Sequence, residues 1–221
     1  MSLDGCIVKY FDFPGRGDAL RLALALGGVD FVDERVPFGD WRAVKPTTPF
    51  GSLPTLTLPD GTALAQQRSL LRFVGRSTGL YPAEPLAALK VDELMDAVED
   101  LVAKTFVAGK NRPKEEMEAE RLKETTDPEG SVTKLLGCIE AFLAANNAGG
   151  PFALGAACTV ADLHLYATTS MLTSGTYDGV PPTILEPFPN ICAVRKAVRS
   201  MDGVKAWYAE HPAKSPAYGE L

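Results

Sequence analysis

The octapeptide at residues 49–56, Pro-Phe-Gly-Ser-Leu-Pro-Thr-Leu, is the stretch of this chain best suited to holding a peptide-like ligand. Phe50-Gly51 predicts a turn. The apolar run after Pro54 predicts a strand that the proline must open, since proline donates no hydrogen bond to a sheet. Only X–Pro bonds adopt cis at low cost, so the Leu53–Pro54 bond is a candidate cis peptide. A cis turn would leave the backbone N–H and C=O of Leu53 free for a ligand; an ordinary proline-led strand start is the alternative.

The cysteines and histidines argue against several other chemistries. The four cysteines are widely separated and form no Cys-x-x-Cys pair, so they predict neither a disulfide framework nor a zinc site. We expect a reducing cytosol and mostly buried thiols. Only His164 and His211 are present, so we expect neither a histidine metal site nor a Ser-His-Asp triad. The cysteines are Cys6, Cys138, Cys158 and Cys192.

The charge of the chain is acidic and unevenly distributed. The net charge is −6, with residues 1–80 near neutrality at +1 and the remainder at −7. This distribution lacks the basic footprint of a nucleic-acid-binding protein. The N-terminus has no positively charged segment followed by an apolar one, and no apolar run approaches the length of a membrane span. We therefore expect neither a signal peptide nor a membrane helix.

The elements that must position the octapeptide are short strands and helices in the first 80 residues. Strands are predicted at 6–11 and 31–36, with a hairpin over 54–58 and 62–65 around Pro59-Asp60-Gly61. Helices are predicted from Gly17 to the Gly27-Gly28 stop, as a short turn over 40–45, and over 66–77. The order β-α-β-α-β-β-α favours a small mixed sheet covered by helices.

Long helical periodicity replaces the strands after a linker with two prolines at 80–85. Residues 114–146 form a second helical region, interrupted near 127–130, and helices are also predicted over 188–200 and 204–210. Thr159 and Asp162 have the spacing of a capping box, which we interpret as structural. His164 follows that cap and is expected to be a satisfied helical histidine. One face of the first long helix carries Leu94, Met95, Val98, Leu101 and Val102.

Taken together, these segments resemble the cytosolic glutathione transferases over nearly the whole chain, most of all the sigma-like, tyrosine-using branch. The resemblance implies an α+β fold, with an N-terminal thioredoxin-like domain (mixed four-stranded sheet with helices) at 1–80, a linker at 81–86 and an all-α domain at 87–221. In such a fold the turn at Pro54 faces the loop after the first strand. The motifs that carry the resemblance are Lys9-Tyr10-Phe11, Gly15-Arg16-Gly17, Asp40-Trp41 with Lys45, residues 49–54, Gln66-Gln67 before Arg72-Phe73, and Thr159-Val160-Ala161-Asp162-Leu163.

Tyr10 stands where the family has its catalytic tyrosine, and the resemblance implies that its hydroxyl stabilises the glutathione thiolate. A free thiol has a pKa of about 8.5, so little of it is ionised at neutral pH. A hydrogen bond to the anion lowers that pKa. Arg16 could support the same anion or only cap a surface loop. A disulfide-exchanging protein of this fold would need Cys-x-x-Cys where residues 12–16 are Asp-Phe-Pro-Gly-Arg, so disulfide exchange and cysteine-type transferase chemistry are not expected.

The resemblance also implies a set of glutathione contacts. Trp41 and Lys45 would reach the glycyl carboxylate, Lys45 by charge-assisted hydrogen bonds. Gln66 and Gln67 would hold the γ-glutamyl end at the N-terminus of the third helix, a favourable place for an anion. Asp100 matches an acidic residue that the family lends across a dimer to the γ-glutamyl amine; the alternative is one more carboxylate on an acidic helix. The implied contacts are Tyr10, Phe11, Arg16, Trp41, Lys45, Ser52, Leu53, Pro54, Gln66, Gln67 and Asp100.

Gln67 departs from the family pattern, which usually has Ser or Thr at this position. Its backbone N–H can still donate, but the hydroxyl is missing and the larger amide could crowd the pocket. This departure puts the affinity for glutathione in doubt, though not the fold.

The function implied is that of a cytoplasmic, homodimeric detoxifying transferase. It would add the sulfur of glutathione, its co-substrate, to a small apolar electrophile without a metal. Two alternatives stay open: a glutathione-dependent isomerase of the prostaglandin D synthase kind, and a non-catalytic ligand-binding or structural protein of the same fold. The electrophile pocket is expected from Phe13, the helix after Val98 and the C-terminal segment. Phe50 is a candidate apolar anchor of the dimer interface.

Overall fold

The computed structural model describes residues 2–211, and its N-terminal part is built on a four-stranded mixed sheet. β1 (Cys6–Phe11) runs parallel to β2 (Phe31–Val36) and antiparallel to β3 (Thr55–Thr57), which pairs antiparallel with β4 (Ala63–Ala65). The strand order is β2-β1-β3-β4. β1 is therefore an inner strand, and Tyr10 lies near its C-terminal end, where ligand sites form in sheets of this kind.

Three helices complete this part of the molecule. α1 (Asp18–Leu26) follows a 3-10 turn at Gly15–Gly17, α2 (Trp41–Val44) is a single turn, and α3 (Gln67–Thr78) ends at Gly79 in the left-handed conformation. Every residue from the first position of α1 to Leu24 is buried. A helix that is buried on all sides must be covered by more than the sheet.

The covering elements are helices of the second half of the chain. α4 (Pro85–Val107), α5 (Lys114–Thr126), α6 (Ser131–Asn146), α7 (Val160–Thr173), α8 (Pro189–Ser200) and α9 (Asp202–Glu210) form an all-helical unit. Both α7 and α9 pack against α1, which places α1 between the sheet and the helical part. The expected α+β fold is confirmed, while the domain limits at 80 and 86 stay a prediction.

The capping box at the start of α7 is present as the sequence predicts. The backbone N–H of Thr159 donates to Oδ2 of Asp162 at 2.8 Å, and the N–H of Ala153 donates to Oδ1 at 2.7 Å. Asp162 is fully buried, so its carboxylate anchors a loop as well as a helix terminus.

The expectation of mostly buried thiols is confirmed for Cys6 and contradicted by Cys138. All four cysteines are free; Cys6 is buried, Cys158 and Cys192 are half-buried, and Cys138 is exposed. Cys138 lies on an exposed part of α6, one residue before the buried Ile139. Within residues 2–211, no helix is both long enough and apolar enough to span a bilayer.

Candidate active site

Tyr10 is buried at the end of β1, with 4% of its surface exposed. Its hydroxyl oxygen accepts a hydrogen bond of 2.9 Å from the backbone N–H of Arg16. The turn that supplies this donor wraps closely around the phenol. A Cβ at Gly17 would lie 2.5 Å from Cδ1 of Tyr10, and one at Gly15, where φ is +45°, would lie 2.7 Å from the hydroxyl. Glycine is therefore required at both positions of the turn.

The environment of Tyr10 keeps its phenol protonated. Burial raises the pKa of Tyr10 to about 12, against the opposing effects of the Arg16 N–H and the charges of Arg16 and Arg21. Because the oxygen accepts from Arg16, the phenolic proton is available to an acceptor atom of a ligand. The group is suited to donate a hydrogen bond to an anion and unsuited to act as a general base at neutral pH.

Arg21 fastens the loop after β1 to α1, a function that the sequence analysis missed. Its guanidinium is 1% exposed, donates to Asp33 at 2.8 Å, and lies 5.5 Å from the Tyr10 ring centroid. It also donates to the carbonyl oxygens of Phe13 at 3.0 Å and Phe11 at 3.2 Å. An arginine among the leucines of an apolar helix was the available signal, since a buried charge needs partners.

Arg16 lies between two cavities. Its guanidinium donates to Oε1 of Glu99 on α4 at 2.7 Å, which joins the loop after β1 to the helical part. The first cavity, about 330 Å³, is lined by Arg16, Gln66, Gln67, Arg68, Ser69, Arg72, Asp96 and Glu99. Charges of both signs line it, so it suits a small zwitterion such as an amino-acid group.

The second cavity lies on the other side of Arg16 and is mostly apolar. Its volume is about 550 Å³. Its lining residues are Tyr10, Phe13, Arg16, Val102, Ala103, Phe106, Val107, Met171, Thr176 and Tyr177. The predicted Phe13 and the part of α4 beyond Val98 are among them, whereas Met171 and Tyr177 were not predicted. The C-terminal segment was also expected here, and its residues 212–221 lie outside the described residues.

Comparison with known proteins identifies the family. A family model described as the C-terminal domain of glutathione S-transferase matches residues 99–211. Glutathione S-transferase 1 of Ascaris suum is 35% identical over 215 residues, which are 95% of this chain and 97% of the relative. The chain belongs to the glutathione S-transferase family.

Two further comparisons concern the class. A hematopoietic prostaglandin D synthase from Gallus gallus is 27% identical over 93% of this chain and 96% of that protein. A structure described as a monomeric glutathione S-transferase from Necator americanus has a TM-score of 0.77 at 28% identity, with coverage of 94% of this chain and 98% of that one. The chain is a sigma-like glutathione transferase, and glutathione is its co-substrate. Among the described residues, no group of His, Cys, Asp or Glu is arranged to hold a metal.

The expected contacts for the glycyl end of glutathione lie near the octapeptide turn. Lys45 begins a 3-10 turn after α2, and its Cε is 3.4 Å from where a Cβ of Gly51 would lie. Trp41 makes an edge contact with Phe11, with ring centroids 5.4 Å apart. The Leu53–Pro54 peptide is cis, as predicted. The structure thus brings Lys45 against the turn that carries Ser52, Leu53 and Pro54.

Two of the three expected contacts for the γ-glutamyl end line the polar cavity, and the role of Asp100 across a dimer stays a prediction. Gln66 and Gln67 line the polar cavity at the start of α3, where Gln66 takes a φ of 72°. Asp100 is exposed on α4, whereas Asp96 and its neighbour Glu99 are the carboxylates of this chain that line the cavity. Glu99 was missed because helical phase alone does not show which of two adjacent acidic residues faces the cavity.

The side chain of Gln67 contacts α7 through its amide nitrogen. Gln67 is 7% exposed, and its Nε2 lies 3.4 Å from Nδ1 of His164 on α7. Among the described residues, Oε1 of Gln67 and Nε2 of His164 have no hydrogen-bond partner. His164 is therefore only partly satisfied, contrary to the sequence expectation. Burial lowers its pKa to about 3, with the charges of Arg16 and Arg68 acting in the same direction, so the imidazole is neutral.

Proposed function

We propose that this transferase conjugates the glutathione sulfur to small apolar electrophiles, with Tyr10 donating a hydrogen bond to the thiolate. The observation that carries the proposal is the position of the Tyr10–Arg16 pair. Arg16 lines both the polar and the apolar cavity, Tyr10 lines the apolar one, and the Arg16 N–H holds the Tyr10 hydroxyl. A sulfur at this junction would have an amino-acid group on one side and an apolar molecule on the other.

The proposed reaction needs only a stabilised glutathione thiolate and an electrophile positioned beside its sulfur. The thiol proton leaves to solvent, and the hydrogen bond from Tyr10 lowers the thiol pKa because it favours the charged form. A sulfur lone pair then forms the carbon–sulfur bond, and with an aryl halide the halide departs with the electron pair of the broken bond. Tyr10 keeps its proton throughout, in line with its raised pKa.

Glutathione itself is proposed to extend from the polar cavity to Lys45. Its γ-glutamyl group would occupy the polar cavity beside Gln66 and Gln67, with the backbone N–H of Gln67 as a donor and without the hydroxyl that Ser or Thr would add. The cysteinyl backbone would pair with Leu53. The glycyl carboxylate would then reach Lys45, which carries the only charge proposed to contact that end.

The test is an assay with a generic aryl halide, combined with calorimetric titration of glutathione. We expect saturable glutathione binding and conjugation well above the uncatalysed rate. Binding without conjugation would replace the transferase proposal with the non-catalytic carrier. Absence of binding would contradict the placement of glutathione described above.

An isomerase activity is a second candidate, favoured by the similarity to a protein named as a prostaglandin D synthase. The apolar cavity of about 550 Å³ has room for part of a fatty-acid-like substrate. Incubation with a prostaglandin endoperoxide and glutathione separates the candidates. Isomerised product without aryl halide conjugation would favour the isomerase.

The assembly and location are also proposals: a homodimer in the cytoplasm. Phe50 is 68% exposed in the turn before Gly51, a suitable apolar anchor for a second copy. The exposed Asp100 would gain a ligand role only if a partner's site lay nearby. The four unpaired cysteines fit a reducing compartment.

A further inference from the structure

A side-chain hydrogen bond joins the first residue of α1 to α9, the last helix of the described residues. The hydroxyl of Tyr208 on α9 donates to Oδ2 of Asp18, the first residue of α1, at 2.5 Å. Asp18 is 2% exposed. The ring of Tyr208 lies beside Tyr166 of α7, with centroids 6.5 Å apart. No proposed step of the reaction uses this pair, although it holds one of the most buried carboxylates of the molecule.

The charged surroundings of Asp18 show why the hydrogen bond matters. Burial raises the pKa of Asp18 to about 6, while the Tyr208 hydroxyl and the charges of Arg21 and Arg35 oppose the rise and Asp33 adds to it. Arg21 and Arg35 both donate to Asp33, so neither cation is reserved for Asp18. A buried carboxylate without a committed donor costs free energy, and Tyr208 supplies that donor.

Asp18 is directly connected to the group that holds Tyr10. It follows the Gly15–Gly17 turn without a break, and its backbone N–H donates to the carbonyl oxygen of Gly15. The middle residue of that turn is Arg16, whose N–H donates to the Tyr10 hydroxyl. A shift of the first turn of α1 would therefore move the Arg16 N–H relative to the Tyr10 hydroxyl that it donates to.

We propose that Asp18 and Tyr208 are a positioning pair, through which the last described helix fixes the Arg16 N–H and so tunes the acidity of the glutathione thiol. The inference rests on the proposed role of Tyr10. It assigns α9 a part in catalysis without contact to substrate. The distances involved are short and only Gly17 separates Asp18 from Arg16, so the coupling needs no large movement.

The variant Tyr208→Phe tests the pair, with Tyr81→Phe as the matched control. Tyr81 also donates its hydroxyl within the protein, to the carbonyl oxygen of Ala88 at 3.4 Å, away from the turn. For Tyr208→Phe we expect the apparent pKa in the pH profile of kcat/KM to rise by about 0.5–1 unit, so kcat/KM at pH 6.5 falls about three- to tenfold. The KM for glutathione should stay within about twofold, the rate at high pH should approach that of wild type, and Tyr81→Phe should keep the wild-type profile.

Asp18→Asn and Asp18→Ala separate positioning from mere stability. The amide of Asp18→Asn can still accept from Tyr208, so this variant should keep a profile close to wild type, whereas Asp18→Ala should resemble Tyr208→Phe. A loss that is equal at every pH in Tyr208→Phe would overturn the inference in favour of a structural role. A wild-type profile in Tyr208→Phe together with a shifted one in Tyr10→Phe would also overturn it while leaving Tyr10 catalytic. If Tyr10→Phe itself keeps the wild-type profile, the proposed function fails first.

Discussion

At the residue scale, the proposed catalysis depends on a phenol, that of Tyr10, which its surroundings suit to donate a hydrogen bond. Burial makes Tyr10 a weaker acid, and the Arg16 N–H occupies a lone pair of its oxygen, so the phenolic proton stays available to an acceptor atom of a ligand. A bound thiolate offers the charge that such a donor stabilises best. Arg16 thus contributes through its backbone, while its side chain is engaged with Glu99.

Lys45→Ala should weaken glutathione binding by about 1.5–3 kcal/mol, because a hydrogen bond between charged groups would be lost. Arg42→Ala is the control, since Arg42 is an exposed cation on the adjacent α2. Calorimetric titration of both variants measures the effect. Equal dissociation constants for wild type and Lys45→Ala would show that the glycyl carboxylate binds elsewhere.

The residues that could be predicted are those whose type and sequence position indicate a role without knowledge of their contacts. Tyr10, Lys45 and the Pro54 turn lie where local sequence and family resemblance suggest, although their roles stay predictions. Arg21 and Glu99 were missed because their roles depend on partners far along the chain or on helical phase. The contact between Gln67 and His164, 97 positions apart, could not be read from either residue.

At the element scale, α1 and α7 form the interior of the molecule. The bounds of β1, β2, α8 and the start of α5 agree with sequence patterns to within a residue, because alternation, proline and glycine are local signals. The burial of α1 on all sides could not be foreseen, since it depends on α7 and α9 folding back over it.

The cap of α7 predicts a stability effect without a catalytic one. Thr159→Ala removes a side chain that completes the capping box, so the free energy of unfolding should fall by about 1 kcal/mol. Thr126→Ala, at the exposed end of α5, is the control and should change it by less. Urea unfolding and KM for glutathione are the measurements; an altered KM at unchanged stability would contradict a structural role.

Asp18, in the first turn of α1, should make the stability of the protein depend on pH. The folded pKa of Asp18, about 6, lies above its ordinary value of 3.8, so the folded state holds the proton more tightly and loses stability as pH rises from about 4 to 6. Asp18→Asn removes this titration. Relative to wild type, the variant should gain up to about 3 kcal/mol in unfolding free energy between pH 4 and pH 7. A difference that does not change with pH would mean that Asp18 is ionised throughout.

At the scale of the whole molecule, the site lies between the two halves of the chain. The sheet end supplies Tyr10 and Phe13, and α4 with the segment after α7 supplies Val102 and Tyr177. Glutathione would therefore hold both halves in contact. A ligand that binds the folded state and not the unfolded state stabilises the folded state by mass action. The melting temperature should therefore rise with glutathione concentration.

The proposed dimer is tested by small-angle scattering at micromolar concentration. Wild type should have the mass of two chains. Phe50→Ser removes the proposed anchor and should shift the mass towards that of one chain, whereas Phe38→Ser, which removes a phenylalanine of similar exposure, 66%, should not. A wild-type monomer would contradict the proposal and leave Asp100 without a role.

The pH–rate profile of Tyr10→Phe is the most direct test of the central claim. The variant keeps the ring and its packing against Gly17 and removes only the hydroxyl. If the hydrogen bond lowers the thiol pKa by one to two units, about 1.4–2.7 kcal/mol, conjugation of an aryl halide near neutral pH should fall about ten- to a hundredfold. The loss should diminish at high pH, and glutathione affinity should change far less. Equal profiles for wild type and Tyr10→Phe would contradict the account and place the thiolate's donor elsewhere.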